Sequence, residues 1–109
     1  MNVKLYLWQR LTAALMAPLI ITHLIVIFYA TANGLSAAEI LGRTRGSLGW
    51  GLFYTLFVVL AAIHAAIGVR VVAAEWTGLA GRSLDVLMWG CGLLLLVLGL
   101  RAVIAVVVP

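Results

Sequence analysis

Three long apolar stretches dominate the pattern of hydrophobic and polar positions along the chain. They cover about residues 11–31, 50–74 and 85–108. Each reaches the roughly 20 apolar residues that a helix needs to cross a bilayer. Between the first two, Ser36 and Glu39 have the spacing of a capping box, which predicts a short surface helix over about 37–43. The pattern predicts an all-α membrane protein with three transmembrane helices, in a single transmembrane domain over 1–109.

The composition excludes several classes of protein. Hydrophobic residues make up 66% of the 109 residues and charged residues only 9%, a balance typical of membrane proteins and not of soluble domains. The net charge of +4 comes from scattered basic residues rather than a cluster, so we expect no nucleic-acid partner. The single cysteine, Cys91, lies inside the third apolar stretch, which excludes a disulfide framework.

The distribution of basic residues predicts the orientation in the membrane. The amino-terminal segment and the second loop, together with the adjoining end of the second stretch, contain Lys4, Arg10, Arg70 and Arg82, against Arg43 and Arg45 in the first loop. Because cytoplasmic segments carry an excess of lysine and arginine, we expect the amino terminus to be cytoplasmic.

Two histidines, His23 and His64, lie inside apolar stretches, where an imidazole needs a side chain, a backbone carbonyl or a metal as partner. Ala61, Ala65 and Gly68 share the helical sector of His64. Small residues there either let another helix approach closely or leave a recess for a flat prosthetic group such as haem. Two interpretations stay open for each histidine: a haem ligand, or a hydrogen bond to a neighbouring helix.

The two histidines are expected at different depths. Counted at 1.5 Å per residue from the inner ends of their helices, His23 lies about 18 Å deep and His64 about 15 Å deep, which places His23 nearer the outer face. Arg70 lies on the inner side of His64, and Arg101 lies near the depth of His23, so each histidine has a cation for haem propionates. This arrangement suits two haems better than one shared haem.

Each of these haems would need a second axial ligand from outside the chain, which contains only two histidines. The less favoured ligands within the chain are the methionines Met16 and Met88. We therefore expect the chain to be part of a larger haem-binding helix bundle, completed by a second anchor chain or a second copy of this one.

The residues around His64 resemble a known family. The run His64-Ala-Ala-Ile-Gly68-Val-Arg70 resembles the His-x-x-x-Gly-x-Arg signature in the second helix of the membrane anchor (cytochrome b) subunits of succinate dehydrogenase and fumarate reductase. In that family the histidine is an axial haem ligand. His23 is similar to the first-helix haem ligand of the members that bind two haems. The resemblance implies that His64 and His23 both bind the iron of haem b.

Two further segments resemble the quinone-binding parts of these anchors. Trp8-Gln9-Arg10-Leu-Thr12 is similar to a His-Arg-x-Ser/Thr-Gly segment whose arginine lies near the quinone, with Gln9 where histidine is usual. Glu75-Trp76 is similar to an Asp-Tyr pair whose tyrosine faces the quinone. A quinone-binding serine of the family falls on Tyr6. The resemblance implies a quinone site near Arg10, Arg70 and Trp76, with Glu75 as a proton relay; the alternative is that these are ordinary residues of the membrane interface.

The resemblance also implies the partners and the location. An iron–sulfur subunit and a flavoprotein subunit on the cytoplasmic face would oxidise succinate or reduce fumarate and exchange electrons with quinone, in the inner (cytoplasmic) membrane of a bacterium. The chain itself has no nucleotide-binding glycine motif and no cysteine cluster, so we expect a non-catalytic or quinone-site subunit.

Two other functions compete with this interpretation. The first is a structural small subunit of another respiratory or transport complex, without haem, whose histidines form interhelical hydrogen bonds. The second, a channel or transporter, is less consistent with the sequence because no span has a polar stripe.

Overall fold

The computed structural model describes residues 2–109. It contains four helices, α1 (Val3–Asn33), α2 (Ala37–Thr44), α3 (Leu48–Thr77) and α4 (Arg82–Val107), and no strand in the described residues. The three long helices α1, α3 and α4 are long and apolar enough to cross a membrane. This confirms the predicted all-α fold with three transmembrane helices.

The first helix begins earlier than the apolar pattern predicts. Asn2 caps it, because its side-chain oxygen accepts a hydrogen bond of 2.8 Å from the backbone N–H of Leu5. The polar and aromatic segment before residue 11 is therefore continuous with the membrane span. Residues 3 to 10 become additional turns of α1, and their side chains take fixed positions around that helix.

The short helix α2 has the predicted capping box. The backbone N–H of Glu39 donates to the Ser36 hydroxyl at 3.2 Å, and the Glu39 carboxylate accepts from the backbone N–H of Ser36 at 3.3 Å. The last residue of α2, Thr44, lies against the end of α4, where its hydroxyl donates to the carbonyl oxygen of Val106 at 2.7 Å. A helix end leaves such carbonyls without partners inside the helix, so this contact stabilises the end of α4.

Helix α3 lies between α1 and α4, which pack on different faces of it. On the α4 side the backbones approach closely: a Cβ placed on Gly92 would lie 3.1 Å from the Cβ of Ala66, and one on Gly99 would lie 2.5 Å from a methyl carbon of Val58. Glycine at these positions permits a helix contact that any larger residue would obstruct.

Helix α1 contacts the rest of the chain along a single seam. Its residues that are not exposed recur at alternating intervals of four and three, namely Leu5, Gln9, Thr12, Met16, Leu19, His23, Val26 and Ala30. This is the spacing of a coiled-coil seam. All the remaining positions of α1 are exposed. The polar side chains of the seam therefore face α3, while Arg10 and Tyr6 lie outside the seam.

Candidate functional site

His64 on α3 is hydrogen-bonded to Thr12 on α1. The Nδ1 atom of the imidazole lies 3.2 Å from the hydroxyl oxygen of Thr12, and Thr12 is completely buried, with an exposed fraction of 0%. The same hydroxyl oxygen lies 2.8 Å from the carbonyl oxygen of Trp8 and 3.1 Å from that of Gln9. Thr12 therefore joins the backbone of its own helix to the imidazole of the next.

The contacts of Thr12 favour one tautomer of His64. Carbonyl oxygens only accept hydrogen bonds, and the 2.8 Å contact with the Trp8 carbonyl is shorter than the 3.2 Å contact with the imidazole. When the single hydroxyl hydrogen of Thr12 goes to this carbonyl, the hydroxyl oxygen accepts from Nδ1–H of His64. In the neutral imidazole this leaves the lone pair on Nε2. No hydrogen bond to Nε2 occurs within residues 2–109. A metal-binding histidine has the same arrangement, with one nitrogen on the metal and the other donating to the protein.

His23 lies in the same α1–α3 interface among aromatic rings. Its ring meets Tyr54 and Phe57 edge to face, at centroid distances of 5.9 Å and 5.4 Å. Its Nδ1 atom is buried and has no hydrogen-bond partner in the described part of the chain. A buried polar atom left without a partner costs about 1–3 kcal/mol. His23 therefore carries an unused ligand atom but lacks the supporting hydrogen bond that His64 has.

The contacts place the two histidines on different levels of the bundle. His64 is level with Thr12, and His23 follows Thr12 by eleven residues, or about 16 Å along α1. On α3, Phe57, which contacts His23, precedes His64 by seven residues, or about 10 Å. One iron holds two imidazoles across only about 4 Å, with bonds of roughly 2 Å each. These two histidines therefore cannot bind one iron, and their order agrees with the predicted one.

Arg70 is paired with a carboxylate on α4. Its Nη1 atom lies 2.6 Å from Oδ1 of Asp85 in the first turn of α4, with exposed side-chain fractions of 22% and 57%. Arg70 follows His64 by six residues, which places it about 120° around α3 from the imidazole. Arg70 therefore points towards α4 and His64 towards α1. Along the bundle axis, Arg70 lies about 9 Å closer than His64 to the end of the bundle at which α1 begins, the amino-terminal end.

Arg101 lies on the face of α4 that points away from α3. It is exposed and follows Gly92 by nine residues, which places it about 180° around α4 from the face that contacts α3. Arg101 does lie near the level of His23. Gly99, two residues before Arg101 on α4, packs against Val58 on α3, and Phe57, next to Val58, contacts His23. The structure does not bring Arg101 and His23 of one chain together, because α3 lies between them.

The residues predicted to contact quinone all lie at one end of the bundle but at different depths. The Arg10 guanidinium stands over the Tyr6 ring at 5.9 Å, on the exposed side of α1. Glu75 and Trp76 are exposed at the end of α3, with Trp76 83% exposed. Distances along the bundle axis are counted from the level of Thr12 and His64 towards the amino-terminal end of the bundle. Arg10 lies about 3 Å and Trp76 about 18 Å from that level. The structure separates Arg10 from Trp76 by about 15 Å along the bundle axis.

Three residues of the site escaped the sequence prediction: Thr12 as the partner of His64, Asp85 as the partner of Arg70, and Gln9. The Gln9 amide lies in the seam, where its nitrogen would be 3.5 Å from a Cβ on Gly68, and its oxygen is buried without a hydrogen-bond partner in the described part of the chain. The alternating spacing of four and three, which places Thr12 and His23 on one face of α1, was the signal available in the sequence.

Comparison with known families agrees with this arrangement of helices. A family model described as "Succinate dehydrogenase/Fumarate reductase transmembrane subunit" matches residues 1–100. The match covers α1, α2, α3 and most of α4. Searches of curated proteins and of solved structures find no match.

Proposed function

We propose, on the premise that this chain belongs to the family of succinate dehydrogenase and fumarate reductase transmembrane subunits, that it is the haem- and quinone-binding anchor of such a complex. It is a multi-pass membrane protein. In this proposal haem b, when bound, accepts and donates single electrons between the iron–sulfur subunit and the quinone pool. The observation that carries the proposal is the contact of His64, whose Nδ1 is hydrogen-bonded to Thr12 while Nε2 has no hydrogen-bond partner within residues 2–109.

His64 and His23 are the residues that would each hold one haem, through a ring nitrogen. Their separation along the bundle favours two irons. Because the chain contains only two histidines, the second ligand of each iron is proposed to come from another chain, with Met16 and Met88 as the less favoured ligands within this one. A second copy related by a two-fold axis along the membrane normal would offer its own His64 at the same depth. A different anchor chain with histidines at these levels would serve equally well.

The cations have different roles in this proposal. Arg70 is the propionate partner for the haem on His64, with Asp85 as its alternative partner. Arg101 is near the level of His23 but on the face of α4 that points away from α3. It is therefore a propionate partner only for a haem held by His23 of an adjoining chain.

The quinone site is proposed at the amino-terminal end of the bundle. Arg10 and the indole of Trp76, about 15 Å apart along the bundle axis, are the proposed hydrogen-bond donors for opposite oxygens of the quinone ring, on which negative charge develops during reduction. Glu75 is the proposed proton relay, and Tyr6 lines the site beside Arg10. Since Arg10 and Tyr6 lie on the exposed side of α1, a partner chain would complete the site. The iron–sulfur and flavoprotein subunits are expected at this end, on the cytoplasmic side of a bacterial inner membrane.

A reduced-minus-oxidised spectrum of the purified complex tests the haem proposal. We expect a b-type α-band with two components, of which His64→Ala removes one and His23→Ala the other. The two variants are matched controls for each other, because both remove an imidazole from the same interface. A wild-type complex without haem, or a spectrum that neither substitution changes, would overturn the proposal.

A structural subunit without haem is the second candidate. The bond between His64 and Thr12 favours it, because an interhelical hydrogen bond is the role that a purely structural histidine would have. This candidate predicts that the purified complex contains no haem and that His64→Ala weakens its assembly. The same spectrum, recorded together with the yield of assembled complex, separates the two candidates.

A further inference from the structure

We infer that Thr12 is a positioning residue for the haem ligand: its hydroxyl holds the proton of His64 on Nδ1 and so keeps Nε2 directed to iron. This inference rests on the proposed function and assigns a residue that touches neither haem nor quinone. The juxtaposition that carries it is the 3.2 Å contact between the Thr12 hydroxyl and Nδ1 of His64 across the α1–α3 interface.

The burial of Thr12 distinguishes it from the other threonines of the long helices. Thr22 and Thr31 also bond the carbonyl four residues earlier, at 2.9 Å and 2.8 Å, and both are exposed. Thr12 makes the same bond to Trp8 but is completely buried and has an additional partner, His64. The bond to its own helix is common to all three threonines, whereas only Thr12 also contacts an imidazole.

The hydrogen bond matters because a neutral imidazole has only one N–H group. When the proton is on Nε2, that nitrogen has no lone pair for iron. Within the described residues the Thr12 hydroxyl is the only group that hydrogen-bonds to Nδ1. Thr12 thus selects the tautomer that can bind metal and limits rotation of the ring.

The same bond affects the reduction potential of the iron. A hydrogen bond from Nδ1–H makes Nε2 a more basic ligand, which favours the ferric over the ferrous state. Removing the acceptor reduces this preference. The haem on His64 should then have a higher midpoint potential, and its iron–imidazole bond should break more readily.

The test compares Thr12→Val with Thr12→Ser and Thr22→Val in the intact complex. Thr12→Ser keeps the hydroxyl, and Thr22→Val removes an exposed hydroxyl of α1 that bonds the Pro18 carbonyl and neither imidazole. We expect Thr12→Val to raise the midpoint potential of the haem on His64 and to allow the reduced haem to bind carbon monoxide. The two controls should behave as wild type. An unchanged potential in Thr12→Val, or the same shift in Thr22→Val, would overturn the inference.

A double-mutant comparison covers the case in which Thr12→Val impairs assembly. If Thr12 acts through His64, Thr12→Val should reduce the yield of assembled complex no further in a His64→Ala background. An equal loss in both backgrounds would identify Thr12 as a packing residue and overturn the inference. Failure of the proposed function is a different result, since wild-type complex would then contain no haem.

Discussion

Thr12 and His64 are 52 residues apart in the chain and joined by a hydrogen bond of 3.2 Å. This bond relates the levels of α1 and α3 to each other. From it follow the separate level of His23 and the distance of about 18 Å between the levels of His64 and Trp76. The predictions below test other contacts that this packing creates.

The pair Arg70–Asp85 gives a test of the propionate role of Arg70. Because the pair is partly exposed, we expect it to contribute only about 0–1 kcal/mol to stability. Asp85→Asn should leave the ratio of haem to protein unchanged, since Arg70 is still present. Arg70→Gln should lower that ratio. Equal effects of the two substitutions on haem content would contradict a role of Arg70 beyond its pairing with Asp85.

The contact of Gly99 with Val58 predicts a packing defect. A methyl group on Gly99 would overlap the Val58 side chain, and overpacking of this kind costs about 1–3 kcal/mol. Gly99→Ala should therefore lower the thermal unfolding midpoint of the purified protein in detergent. Gly90→Ala is the matched control, because nothing lies within 4 Å of a Cβ there. A midpoint unchanged by Gly99→Ala would argue against the close α3–α4 approach.

The bond from Thr44 to Val106 should protect the end of α4. Thr44 is buried, so Thr44→Val leaves the Val106 carbonyl without this partner, at a cost of about 1–3 kcal/mol. Hydrogen exchange of the Gly46 amide, which bonds the Val107 carbonyl at 2.6 Å, should become faster. Thr31→Val, which removes an exposed hydroxyl, should leave that exchange rate as in wild type.

The proposed quinone site predicts different effects for two exposed tryptophans. Trp76 lies at the end of α3, and Trp89 lies within α4, on the apolar surface. Trp76→Leu should raise the KM for quinone about fivefold, as expected for the loss of one hydrogen bond of about 1 kcal/mol. Trp89→Leu should leave the KM unchanged. The same KM for wild type and Trp76→Leu would remove Trp76 from the site.

The number and type of the helices were predictable because they depend on local properties of the chain. The length of each apolar stretch indicates a membrane span, and the spacing of Ser36 and Glu39 indicates a helix start; both can be recognised within a few turns of sequence. The depth order of His23 and His64 also followed from a constant rise per residue. These predictions required no knowledge of which helix faces meet.

The partners of the candidate site residues depend on how distant helices pack. Thr12 meets His64, and Arg70 meets Asp85, because of the rotation and relative level of α1, α3 and α4. Similarly, Arg101 reaches the predicted depth yet lies on the far side of α4. A sequence shows how far along a helix a side chain lies, but the face of its neighbour that it meets is decided by close packing between residues far apart in the chain.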